Sequence, residues 1–128
     1  MAYTYKYRIA GKPEARLDGS GCVDHDIYAL VSSDTANWAV IPGRHKTVSV
    51  PGADLLTALA SGTSAQKIVK YKNLLATNLN TSPVSLVGWD SASLASLMAA
   101  NDAAAAASLA ANAFILSVVS GYPVDFAM

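Results

Sequence analysis

Residues 91–120 read SASLASLMAANDAAAAASLAANAFILSVVS, thirty positions with one charged side chain, Asp102. Alanine has the best helix propensity of any residue, and the five-alanine run 103–107 contains no β-branched or turn-forming residue. The segment is therefore predicted to be helical. Asp90 or Ser91 is placed to cap its start, and Gly121 followed by Pro123 is placed to stop it. Unbroken, it spans about 45 Å at 1.5 Å per residue. A break at Asn101-Asp102 is the alternative, since Asp102 would cap a second helix. Leu94, Leu97, Met98, Ala105, Leu109, Asn112, Leu116 and Val119 recur at helical spacing. That stripe needs a partner, either this chain's own sheet or a neighbouring subunit. The alanines offer a face that another helix can approach closely.

Ahead of this segment the period changes from 3.6 to 2. Tyr3, Tyr5 and Tyr7 alternate with Thr4, Lys6 and Arg8, which predicts a strand. Asp18-Gly19-Ser20-Gly21 is a turn, and Cys22 to Ser33 a second strand. The centre of that strand, Ile27 to Val31, is apolar on both faces, as in a central strand. Trp38 to Val50 reads as a hairpin turning at Pro42-Gly43, because proline and glycine suit the middle of a type II turn. Pro51-Gly52 closes the last strand and opens a short helix around residues 54–60. Thr63-Ser64-Ala65-Gln66 matches a capping box, predicting a helix over 64–76 with Ile68, Tyr71, Leu75 and Leu79 on one face. A strand around Ile68-Val69 is the competing reading. Val84 to Trp89 reads as a short strand. The expectation is a single α+β domain over residues 1–128. Antiparallel strands and a hairpin occupy its N-terminal half, and alanine-rich helices its C-terminal half.

Hydrophobic residues make up 52% of the chain and charged residues 14%, against roughly 25% charged in ordinary soluble domains. The surface must be covered largely by Ser, Thr, Asn and Ala, which leaves room for burial against partners. All nine basic residues lie at or before Lys72, with six of the nine acidic ones, so the front carries +3 and residues 73–128 carry −3. That asymmetry could bring subunits together head to tail. It is too mild to suggest nucleic acid. Cys22 is the lone cysteine, so no intrachain disulfide forms and nothing points to an oxidising compartment. The N-terminus lacks the apolar core of a signal peptide. Ala103 to Val119 is the one candidate membrane span. Alanine is only marginally apolar, Asn112 interrupts the run and no Lys or Arg flanks it, so no membrane partner is expected.

No catalytic apparatus is legible. The chain contains no G-x-S-x-G elbow, no G-x-G-x-x-G and no Walker sequence. Cys22, His25 and His45 are at most three soft ligands where structural zinc wants four. On a strand, Asp24 and Asp26 would face away from His25. The Asp18–Asp24 loop lacks the alternating acids of a calcium site. No cofactor, no metal and no enzymatic activity are expected. Arg44-His45-Lys46, beside the Pro-Gly turn, could meet a phosphate or a carboxylate on another subunit. Tyr3, Tyr5, Tyr7, Tyr28, Trp38 and Trp89 could form a base-stacking platform only if the fold gathers them.

In the Trp38–Val50 hairpin and the nearly charge-free Ser91–Ser120 segment, the chain resembles the small virion proteins of tailed bacteriophages: head-decoration, neck and tail components. The resemblance is one of composition and carries over no family residue. It implies a structural subunit assembled in the host cytoplasm into a virion, without a cofactor, whose partners are copies of itself and other structural subunits. The contact residues expected on this reading are Arg44, His45, Lys46, Leu94, Ala105, Leu109 and Leu116. The alternative is a small binding module, or a non-catalytic subunit of a complex, that uses the 38–50 hairpin.

Overall fold

The computed structural model describes residues 2–85, 88–119 and 121–127. Its elements run β1 (Thr4–Ile9), β2 (Glu14–Ala15), β3 (Cys22–Ser32), β4 (Ala39–Pro51), α1 (Gly52–Leu59), α2 (Ser64–Thr77), α3 (Ser91–Val118) and β5 (Val124–Ala127). This is the α+β arrangement expected, with the strands leading and the helices following.

The alternating tyrosines do form a strand, and β3 is central. β1 and the short β2 lie along one edge of β3, and β4 lies along the other. β5 returns from the C-terminus to pair with β1, from Lys6↔Ala127 to Ile9↔Val124. All pairings are antiparallel. One face of the sheet carries Ile9, Val23, Ile27, Val48, Val50, Val124 and Phe126 into a core shared with Leu55, Tyr71, Leu75 and Ile115 from the three helices. The other face carries the charged side chains Lys6, Arg8, Asp24, Asp26 and Asp125, together with a buried Leu30 on the central strand. On it Asp125 of β5 accepts from Lys6 and Arg8 of β1 at 2.7 and 2.8 Å. Part of the charge asymmetry is thus neutralised inside the chain rather than between subunits.

The Pro42-Gly43 hairpin is not formed. β4 runs on through that dipeptide and pairs with β3 on both sides of it, Leu30↔Val40 and Tyr28↔His45. Ile41 to Arg44 lie opposite the single residue Ala29, as a bulge on an edge strand. Proline is tolerated there because no neighbour needs its missing N–H. Gly43 takes the expected positive φ, 76°, but uses it to bulge rather than to reverse. The reversal comes earlier. The Asp34 carboxylate accepts from the backbone N–H groups of Ala36 and Asn37 and from the Ser32 hydroxyl, and Thr35 sits at φ 59°. The true hairpin is β3–β4.

The capping box is present: the Thr63 hydroxyl accepts from Gln66 N, and the Gln66 side chain accepts from Thr63 N. α2 is therefore a helix, with Tyr71 and Leu75 buried and Ile68 and Leu79 packed beside them. α3 is one unbroken helix capped by Asp90. Asn101 does not break it, because its side chain reaches outward to accept from Gly19 N at 3.0 Å in the turn before β3. α3 ends at Val118, and Val119 is already extended, short of the expected Gly121 stop. Ser120 lies outside the described residues. So do Leu86 and Val87 of the expected 84–89 strand, whose described members are not in a strand.

Candidate functional site

α3 has two different faces. Ala104, Ala107, Ala111, Phe114 and Ile115 are buried. The alanines allow close approach: a Cβ placed on Gly52, at the start of α1, would lie 3.2 Å from Ala107 Cβ and 2.8 Å from Gly21 O. Most of the leucines and Met98 point elsewhere. Leu94, Met98, Leu109, Leu116 and Val119 are exposed, Met98 at 56% and Leu109 at 62%, with Ala105 half-buried among them. At 100° per residue this stripe sits about a third of a turn from the alanine face. This chain's own sheet does not cover the stripe. Asn112, its polar member, accepts from the Tyr122 hydroxyl at 2.8 Å.

More exposed apolar groups collect near the first half of α3. Trp89, just before the helix cap, is 92% exposed, and Leu17 and Val84 are also exposed. Leu17 O accepts from Asn101 Nδ2, and Ser85, next to Val84, donates to Asp18 beside Leu17. Val84 and Trp89 fall in the expected 84–89 strand, and no sequence signal singles out Leu17. Leu17 is a lone apolar side chain between Arg16 and Asp18, and a lone one has no period to reveal it.

The Arg44-His45-Lys46 tripeptide is split by strand alternation. His45 lies on the charged face, stacked on Tyr28 with ring centroids 4.2 Å apart and bonded to Asp26. Arg44 and Lys46 lie on the helix side. There they border a cavity of about 320 Å³ floored by Tyr7, Ile27, Ala29, Ile41 and Leu79. Lys46 Nζ donates to Asn80 Oδ1 at 2.9 Å, and Arg44 reaches only its neighbour's carbonyl, Gly43 O, at 3.5 Å. Neither has a carboxylate partner among the described residues. Among the described residues none from α3 lines this cavity, so the expected contact residues fall in three places: Arg44 and Lys46 at the cavity, His45 on the opposite sheet face, and the leucines on α3.

His25 is fully buried between the sheet and α2. Its Nδ1 lies 3.1 Å from Val23 O, which can only accept, so Nδ1 carries the hydrogen. Nε2 is then free to accept from the Tyr71 hydroxyl at 2.5 Å. Burial lowers the His25 pKa to about 4 and holds the Tyr71 hydroxyl well above its usual range, so both are neutral. Cys22 is buried with its Sγ near Ser20 O. His25 and His45 thus lie on opposite sides of the sheet. Among the described residues no three His, Cys, Asp or Glu side chains converge as a metal site would need. The aromatics are scattered as well: Tyr5 and Tyr7 face the helix side, Trp38 lies under Lys6 on the charged face, and Trp89 stands in a loop.

No protein-family model, curated protein or solved structure matches the chain.

Proposed function

We propose that this protein is a structural subunit that packs with copies of itself, or with other structural subunits, into a larger particle. The observation that carries the reading is the Leu94–Met98–Leu109–Leu116 stripe, apolar and uncovered along a helix whose other face is committed to the core. A row of large apolar side chains left uncovered along one helix face is the surface a partner would cover.

A tailed-phage virion, as decoration, neck or tail component assembled in the host cytoplasm, is the setting that the compositional resemblance supports. By length and composition α3 could also cross a bilayer. The commitment of Phe114, Ile115 and the alanines to the core argues for a protein partner instead. The proposed role requires no cofactor, nucleic acid or catalytic step. Light scattering on the purified chain tests it, and a defined symmetric oligomer is expected. A protein that stays monomeric at high concentration and joins no larger particle overturns it.

A further inference from the structure

We propose that the cavity between β4 and the end of α2 is a binding site for a small organic acid, a carboxylate on an apolar stem. The inference does not depend on how the chain assembles. Three features of the site converge on that chemistry. Its volume of about 320 Å³ reaches the lower end of the range for ligand pockets, which are mostly apolar with a few placed polar groups. Its floor is apolar, built by Tyr7, Ile27, Ile41 and Leu79. Its rim carries two cations with donors to spare. Among the described residues Arg44 is bonded only to Gly43 O, and Lys46 gives one of its three donors to Asn80.

The bulge explains why both cations stand at this rim. Arg44 and Lys46 are two residues apart on a strand and share a face. The bulge lies at the cavity itself, since Ala29 and, from the four residues opposite it, Ile41 and Arg44 all line it. A guanidinium and an ammonium at the mouth of an apolar recess favour one anionic head with its stem pointing inward. A neutral stem would gain only the floor, and a bare inorganic anion only the rim.

Calorimetric titration of the full chain with hexanoate, and with hexanamide as the uncharged analogue, tests this. Saturable binding of one hexanoate per chain is expected, at least about tenfold tighter than hexanamide. The double substitution Arg44→Gln, Lys46→Gln should bring hexanoate down to the affinity of the amide. The double substitution Lys67→Gln, Lys70→Gln, outside the cavity, should leave it unchanged. The amide comparison uses the unaltered protein and so does not depend on how any variant folds. Hexanoate that fails to saturate, that binds no better than hexanamide, or that binds the Arg44→Gln, Lys46→Gln protein equally well would overturn the proposal.

Discussion

A histidine sealed in an apolar core makes this protein's stability depend on pH. The native His25 ring stays neutral down to about 4, whereas a free histidine takes its proton near 6.5. Between those values the unfolded chain binds more protons than the native one, so stability is complete above pH 6.5 and falls as the pH drops towards 4. The shift corresponds to roughly 3 kcal/mol. Denaturant melts across that window should show the loss. Replacing both partners, His25→Phe with Tyr71→Phe, removes the ring and the hydroxyl that would otherwise be orphaned, and should flatten the curve. An equally steep curve in the double variant would assign the acid sensitivity to other groups. At Gly43 the constraint is the backbone alone. Its φ is 76° and an added Cβ would meet nothing within 4 Å. Gly43→Val should cost about 1–2 kcal/mol through the left-handed conformation, and Gly43→Asn less, since asparagine visits that region more readily. Equal denaturation midpoints for all three proteins would contradict the assignment.

At the level of the element, α3 does two jobs on two faces, and substitutions should separate them. Ala107 is fully buried and meets the start of α1 where Gly52 leaves no space. Ala107→Leu should overpack this contact and cost roughly 1–3 kcal/mol in thermal or chemical melts. Leu109, two positions on, is exposed and should tolerate change in the folded chain. Wild-type stability in the Ala107→Leu protein would mean that α1 does not dock on the alanine face.

For the whole molecule the question is what covers the leucine stripe. If a second subunit does, Met98→Glu with Leu109→Glu should dissociate the oligomer seen by light scattering, because a buried unpaired charge in an interface is costly. The melting temperature of the resulting monomer should stay near that of an isolated wild-type subunit, since neither side chain supports the core. An unchanged mass in the double variant would show that the subunits meet elsewhere, for instance along the charged sheet face.

Much of this fold was legible in the sequence because its signals are local. The period-two tyrosines, the capping box at Thr63–Gln66, the Pro51-Gly52 switch and the alanine run each act within a few residues, and each produced the expected element. The positive φ of Gly43 is local too, but its consequence is not. A Pro-Gly pair can reverse a chain or bulge it, and the pairing of β4 with β3 on both sides of the dipeptide decided which. β5 depends on a partner more than a hundred residues away, so four residues of alternating pattern could not announce it. The same holds for the surfaces. The sequence marks out the leucine stripe by size and period. That small alanines rather than large leucines face the core follows from the close approach of α1 through Gly52, a tertiary contact. Arg44 and Lys46 were named by their charge. Their separation from His45, and the cavity they border, exist only because alternation, the bulge and the end of α2 meet in space.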